Sequence, residues 1–347
     1  MIVINARFLT HKTTGVERYA IEMCKRISKN IGNHKVIFVA PKGKLNKIDG
    51  LNNIIIKQFG FFKGPIWEQI DLFLFLKRNK SPLLLNFSGI GPAIYENKIV
   101  YLHDLAFKHH PENFSFLFQK IYNVLIPISI RKSKKIITVS KFVKQDIITN
   151  YGLTNIEVIY GSQSGKFKNL SLKREKIILA VSSLDPRKNF NRIIKAYQKL
   201  ETDYKLVFVG SNSKAFSKII IDNNYNDKNI IFTGYLTDKD LVKMYNKASI
   251  FIYASLFEGF GIPPLEAQSC GCPCIVSNLT SIPEICNNSV MYCNPFSVKD
   301  IADKIEDLII DKKKREELVK KGFENIKKYS WDASANKLLA VIKKEIM

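Results

Sequence analysis

Short apolar runs alternate with stretches of helical spacing along the chain, and the alternation breaks once and then restarts. Residues 2–9 are strand-like. Residues 16–30 put Val16, Tyr19, Ala20, Met23 and Ile27 on one helical face, and residues 35–40 are strand-like again. Further apolar runs at 98–102 and 135–139 are flanked by polar residues. Such alternation predicts parallel sheets covered by helices on both faces, an α/β fold. The break is GSQSGKFKNLSLKREK, residues 161–176, which has no apolar period and reads as a linker. Beyond it come a strand at 177–181, a helix at 190–200 and a strand at 206–209. A strand, a helix and a strand follow at 230–233, 237–247 and 250–254. The end is helical at 298–310, 313–329 and 331–347, with Ser330 placed to cap the last helix. Two doubly wound halves joined near residue 165 put a cleft between them. Ligands of such sheets sit beyond the carboxyl ends of the strands.

A length of 347 residues suits two domains, and 46% apolar residues is the fraction of a folded chain. The start, MIVINARFLT, has no basic region ahead of its apolar run, and no run approaches the ~18 apolar residues of a membrane span. The expectation is a soluble, cytoplasmic protein, with the inner face of the membrane as a further location. Six cysteines in a chain this long do not make a disulfide framework. In CGCPC, Cys270, Cys272 and Cys274 are one residue apart, which is not zinc-site spacing; small thiols in a buried turn explain them better, and no metal is expected. The net charge of +23 suits nucleic acid, anionic lipid or phosphorylated substrates without choosing among them. No zinc-finger spacing, RNA-binding signature or isolated basic stripe is present, so nucleic acid is not an expected partner.

Four segments carry chemistry. EGFGIPPLE, Glu258 to Glu266, follows an apolar strand, and Pro263 and Pro264 suit the first turn of a helix. Gly259, Phe260, Gly261 and Ile262 then form a loop at a helix N-terminus, a site for an anion such as a pyrophosphate, framed by the carboxylates of Glu258 and Glu266. A helix-capping loop with a solvated glutamate pair is the plainer alternative. SSLDPRKN, residues 182–189, places Arg187 and Lys188 at the mouth of the second sheet, where cations would neutralise a diphosphate. The alternative is two solvated surface cations, and loss of a solvated loop cation should leave the fold intact. In TTGV, residues 13–16, Gly15 lets the backbone approach a ligand across the cleft. In YLHDL, residues 101–105, His103 ends a strand facing the cleft, or forms a structural pair with Asp104.

Together these segments resemble the retaining GT-B glycosyltransferases marked by two glutamates seven residues apart. The resemblance runs through TTGVERY, HDL, ITVSKFVKQDI, SSLDPRKN, FTGYLTDKDLVKMYNKA, EGFGIPPLEA, SIPEI and YSWD. It implies a GT-B fold of two doubly wound Rossmann-like domains facing across a cleft. Residues 1–165 would form the acceptor side, 166–330 the nucleotide-sugar side, and 331–347 a helix able to cross back to the first domain. By the same resemblance Glu258 would contact the donor sugar, and Glu266 the ribose hydroxyls. Gly259 to Gly261 would lie against the diphosphate and sugar, Arg187 and Lys188 would neutralise the diphosphate, His103 would line the sugar pocket, and Gly15 would close over the phosphates. Many relatives carry Gly-Arg where this chain has Ser182-Ser183, which leaves Arg187 to supply that charge. The PRKN form looks like the mannosyl- and rhamnosyl-transferring enzymes of bacterial surface polysaccharides such as O-antigen and capsule, and points to a GDP-mannose-like donor.

The resemblance also implies front-face attack by the acceptor hydroxyl, with the departing diphosphate taking the proton. No hydrolase-like carboxylate pair is evident, and no Asp-x-Asp motif stands near these loops, so the expectation is a nucleotide-sugar donor with no divalent ion required. A growing, lipid-linked polysaccharide is the expected acceptor. The segment 114–130, FSFLFQKIYNVLIPISI, followed by Arg131, Lys132, Lys134 and Lys135, either docks on an anionic membrane or is a buried helix with a solvated basic end. A sugar-nucleotide epimerase, a phosphorylase and a non-catalytic partner subunit are the rival readings.

Overall fold

The structure, a computed structural model, describes residues 1–10, 14–30, 35–46, 54, 56–183, 185–210 and 228–346. Thr13 of the TTGV motif and Leu184 of SSLDPRKN lie outside the described residues. The chain divides into two units, Met1–Gly161 with Trp331–Met347, and Ser162–Ser330.

Unit 1 holds a sheet of strands β1 (Ile2–Asn5), β2 (Val36–Pro41), β3 (Ile56–Phe59), β4 (Leu83–Asn86), β5 (Lys98–Tyr101), β6 (Lys135–Thr138) and β7 (Ile156–Val158). The order is β3-β2-β1-β4-β5-β6-β7, every pairing parallel. Its helices are α1 (Gly15–Asn30), α2 (Gly64–Trp67), α3 (Phe73–Arg78), α4 (Ala106–His109), α5 (Phe116–Arg131) and α6 (Lys141–Tyr151), with a π turn, Glu68–Leu72, joining α2 to α3. The strand expected over 2–9 stops at Asn5 and gives way to a 3-10 turn, Arg7–Thr10. The cause is local: the Asn5 side-chain oxygen accepts from the Arg7 N–H at 3.2 Å, and its amide nitrogen donates to Asn86 and Glu68 at 2.6 and 2.8 Å. The bond to the Arg7 N–H competes with ladder bonding and turns the backbone, while the two tertiary bonds hold the Asn5 side chain in place.

Unit 2 holds β8 (Glu175–Val181), β9 (Lys205–Val209), β10 (Ile230–Gly234), β11 (Ala248–Tyr253), β12 (Cys274–Ser277) and β13 (Met291–Cys293), ordered β10-β9-β8-β11-β12-β13 and again parallel. Alternate residues feed opposite faces. Ile178, Ala180, Leu206 and Phe208 enter one apolar cluster, while Ile177, Leu179, Val207 and Val209 enter another. A sheet buried on both faces explains why its strands read as continuous apolar runs. Its helices are α7 (Phe190–Tyr197), α8 (Asp238–Lys247), α9 (Ile262–Ser269), α10 (Ile282–Cys286), α11 (Val298–Ile310) and α12 (Lys312–Ile326). Helix α7 ends at Tyr197, short of the expected residue 200, in tight turns closed by Lys199 N–H to Ala196 and Leu200 N–H to Tyr197.

The polar stretch read as a linker is not a free tether. The Arg174 guanidinium donates to the carbonyls of Tyr245, Ala248, Cys270 and Gly271 at 2.6–2.9 Å and fastens the segment to unit 2 just before β8. The described cysteines are buried, and burial raises the thiols of Cys270 and Cys272 to about 12. No described helix is long and apolar enough to cross a membrane.

The last helix, α13 (Trp331–Ile346), belongs to unit 1 and packs on α1. The Trp331 ring meets Tyr19 edge-on at 5.2 Å, Arg26 pairs with Asp332 at 2.6 Å, and Ser334 donates to the Tyr160 carbonyl at 2.7 Å. Trp331, Leu338 and Ile342 are buried. Replacing a buried tryptophan by alanine costs about 3–5 kcal/mol. Trp331→Ala should therefore lower the urea midpoint of unit 1, read by circular dichroism, and an unchanged midpoint would show that α13 is dispensable.

Candidate functional site

In unit 2 the strand order reverses between β8 and β11, and ligand crevices open at such points beyond the strand ends. Lys188 follows β8 and Glu258 follows β11, so the topology alone brings the two loops together. The Lys188 Nζ donates to Glu258 Oε1 at 2.6 Å and to the Tyr253 hydroxyl at 3.3 Å. Both charged side chains are mostly buried, 15% and 11% exposed. The expectation of a solvated loop cation is thus corrected.

Several contacts hold this arrangement. Asn189 adopts a left-handed φ of 63° at the head of α7, and its buried amide donates to the Ala254 and Pro295 carbonyls at 3.0 and 2.7 Å. The Leu256 N–H donates to the Arg187 carbonyl at 2.7 Å. Below the second loop, Ser281 Oγ donates to the carbonyls of Glu258 and Phe260, and the Glu258 N–H donates to Thr280 Oγ1 at 3.2 Å. Gly261 heads α9 with φ of 99°, and a Cβ there would come 2.5 Å from the Ile282 side chain. The left-handed backbone favours glycine there, and a side chain would in addition have to push the tip of Ile282 aside. Gly259, Phe260 and Gly261 are buried, with the Phe260 ring against Tyr329, and Ile262 is half-buried.

Glu266 is buried one turn into α9, where the Tyr245 hydroxyl donates to its Oε2 at 3.2 Å. Burial and then the neighbouring carboxylate push the Tyr245 phenol far above its ordinary range; Tyr253 is raised likewise, by burial and then by Glu258. Each tyrosine stays protonated, and each touches one glutamate of the pair. Sequence reasoning passed over both tyrosines, and Asn189 with them. Tyr253 ends an apolar strand and Tyr245 lies on the buried side of α8, so both look like ordinary core residues.

Arg187 lies against its own neighbour. Its guanidinium donates to Asp185 at 2.6–3.1 Å. Burial would raise the Asp185 carboxyl, but the Arg187 bonds outweigh it and hold the group below its usual range. An Asp-x-Asp pair does occur, Asp238 and Asp240 at the head of α8. Thr237 donates to Asp240 at 2.7 Å and Lys166 pairs with Asp238 at 3.0 Å, the arrangement of a helix cap.

In unit 1, Gly15 opens α1 with nothing within 4 Å of where a Cβ would stand. Glu17 accepts from the Thr14 N–H at 3.0 Å and from its hydroxyl, capping the helix. His103, beyond β5, is half-buried under the rings of Tyr19 and Tyr101. Its Nε2 stands 2.8 Å from the Phe87 carbonyl, which can only accept, so Nε2 carries the proton and neutral Nδ1 is the acceptor. The expected alternative partner, Asp104, accepts from the Ala106 N–H instead. Burial lowers the His103 pKa and favours the neutral ring.

A family model described as Glycosyltransferase Family 4 matches residues 13–162, and one described as Glycosyl transferases group 1 matches residues 162–325. The chain is a GT-B glycosyltransferase. The O-antigen chain mannosyltransferase B of Escherichia coli is 25% identical over 95% of this chain and 96% of its own length. The O-antigen chain mannosyltransferase RfbU of Salmonella typhimurium is 31% identical over 62% of each chain. The structure of Anabaena HepE in complex with UDP and glucose shares the fold, with a TM-score of 0.78 at 16% identity over 99% of both chains.

Two predictions follow the geometry of this glycosyltransferase. Lys188→Ala leaves a largely buried Glu258 without its cation, so stability should fall by about 1–3 kcal/mol in urea unfolding; a loss below about 0.5 kcal/mol would mean that the pair is no more than an exposed bridge. For His103, whose folded pKa is lowered, the unfolded chain binds the proton first as pH falls. Stability should therefore drop below the ordinary histidine pKa of about 6.5, until the folded ring also protonates. The difference in melting temperature between wild type and His103→Gln should narrow over that window, and a difference independent of pH would show that the ring is not held neutral.

Proposed function

We propose that this glycosyltransferase moves a hexose, with retention, from a GDP-mannose-like donor to a growing surface polysaccharide carried on a lipid. The observation that carries the reading is the Lys188–Glu258 pair at the strand reversal beside the head of α9. A cation, a helix N-terminus and a carboxylate within one crevice suit a sugar diphosphate: positive groups at the phosphates and an acceptor for the sugar hydroxyls. The two mannosyltransferase relatives support the donor sugar and the O-antigen type of product.

In the proposed step the acceptor oxygen bonds to the anomeric carbon while the bond from that carbon to the diphosphate oxygen breaks. The acceptor's proton passes to the departing phosphate oxygen. Lys188, freed from Glu258 by the incoming diphosphate, stabilises the charge left on it, and Glu258 then turns to the sugar hydroxyls. Glu266, held by Tyr245, takes the ribose hydroxyls. Arg187 contributes only by exchanging Asp185 for phosphate. Transfer needs no divalent ion in this scheme, so activity should persist in excess EDTA.

The segment 114–135 is proposed to touch an anionic membrane, since α5 is far from buried: Phe116, Leu117, Val124 and Ile128 are exposed. A thermal-shift screen of GDP-, UDP-, ADP- and dTDP-sugars identifies the nucleotide. With the best donor, Glu258→Gln should cut kcat by orders of magnitude, whereas Glu266→Gln and Tyr245→Phe should mainly weaken nucleotide binding, about tenfold for loss of one charge-assisted hydrogen bond. Equal and mild effects at Glu258 and Glu266 would overturn these roles.

A further inference from the structure

Helix α5 is not the only exposed apolar face of unit 1. Ile66, Ile70 and Leu74 recur every four residues along the continuous helical run α2, π turn and α3, and they are 55%, 41% and 43% exposed. Such a spacing is a single stripe. The opposite side of that run is the buried one, carried by Trp67, Leu72 and Leu76. Just before the run stands Phe61, 92% exposed, with Lys42 over its ring.

This stripe and α5 share a neighbour. The Gln69 side chain donates to the Gly91 carbonyl at 2.5 Å and accepts from the Ala93 N–H at 2.8 Å. From the other side, Ser129 of α5 donates to the Ile90 carbonyl at 2.7 Å. One loop thus lies between the two helices, and on it Ile94 is 60% exposed. Buried Lys98 fastens the same loop, donating to the carbonyls of Pro92 and Ala93 at 2.7 and 2.8 Å. Among the described residues of unit 2, the three most exposed apolar side chains, Tyr235, Phe296 and Ile310, instead stand far apart in sequence.

Charge says what covers the face. Residues 61–80 carry Lys63, Lys77, Arg78 and Lys80. Their acids are committed: Glu68 is fully buried with Arg7, and Asp71 accepts from the N–H groups of Phe61 and Phe62. Residues 114–135 contain no acid at all, and Glu96 of the intervening loop is paired with Lys132 at 2.7 Å. A second copy placed on this face would set cations against cations, which is unfavourable. An apolar strip flanked by lysines fits the headgroup and acyl boundary of an anionic bilayer.

We propose that the helical run Gly64–Arg78 is a second membrane-docking element, acting with α5 and Ile94 as one face toward anionic lipid. The inference rests on the membrane reading of α5 and adds a separate set of residues to it. The experiment compares three full-length proteins in co-sedimentation with phosphatidylglycerol/phosphatidylcholine vesicles and with phosphatidylcholine alone. They are the wild type, Ile66→Ser/Ile70→Ser/Leu74→Ser, and Arg131→Gln/Lys132→Gln/Lys134→Gln/Lys135→Gln. The wild type should sediment with the anionic vesicles and lose this with rising salt. The triple variant should bind at least tenfold more weakly while retaining its melting temperature and its activity on a short soluble acceptor. Independently, Ile70→Cys carrying an environment-sensitive fluorophore should shift to the blue on anionic vesicles, and Ile310→Cys should not; the native cysteines are buried and should label poorly. This second readout decides the matter if the triple variant is unstable. Failure of the wild type to sediment would overturn the membrane reading as a whole. Loss of binding in the quadruple variant alone, with an aqueous signal at position 70, would overturn this inference and leave that of α5 standing. A wild-type dimer made monomeric by the triple variant would show that the face joins two copies instead.

Discussion

Seventy residues separate Lys188 from Glu258, yet their charged atoms stand 2.6 Å apart and largely out of water. A partly buried carboxylate and ammonium are tolerable only together, because either alone would carry an uncompensated desolvation cost. Much of unit 2 can be understood as what brings them together. The reversal of strand order makes β8 and β11 neighbours, the left-handed Asn189 swings the first loop inward, and Thr280 with Ser281 supports the second. A diphosphate entering the crevice need not create a cationic site. On the proposed reading it has only to displace a carboxylate from one already formed, so part of the electrostatic cost is met on folding.

The polarity of the two tyrosines adds to this. Tyr253 and Tyr245 bring hydroxyls to Glu258 and Glu266 from within an apolar cluster, where water cannot compete. Hydrogen bonds in such surroundings fix orientation as well as charge. The two glutamates thus differ in company: Glu258 faces a cation, and Glu266 a neutral phenol.

Much of this was legible in the residues. The alternation of apolar runs and helical spacing marked β1, β2, β5, β6 and β8 to β11, but passed over β3, β4, β7, β12 and β13, which are only three or four residues long and too short to show a period. The Gly-Phe-Gly-Ile-Pro-Pro loop and the Arg-Lys pair of the first βα loop stand after β11 and β8, the two strands that the reversal makes neighbours. What the residues did not disclose were side-chain partners. Nothing in the order Asp185, Pro186, Arg187 says that the guanidinium folds back on the carboxylate, and Arg174 looks like one more cation in a polar stretch until its four carbonyl acceptors are seen. The segment over 114–130 was ambiguous for a different reason. Its apolar residues are too many for one stripe, so periodicity could not say which side faces out.

The return of α13 to unit 1 has a consequence for how the polypeptide is made. Unit 2 is a continuous stretch of chain, whereas unit 1 is completed by residues that follow unit 2 in the chain. Until the ribosome has passed Ser162–Ser330, α13 is not yet made, and the surface of α1 that receives Trp331 has nothing to cover it. Synthesis order and completion order therefore differ: the half that emerges first is the one that must wait, with an apolar seam open, until α13 arrives to close it.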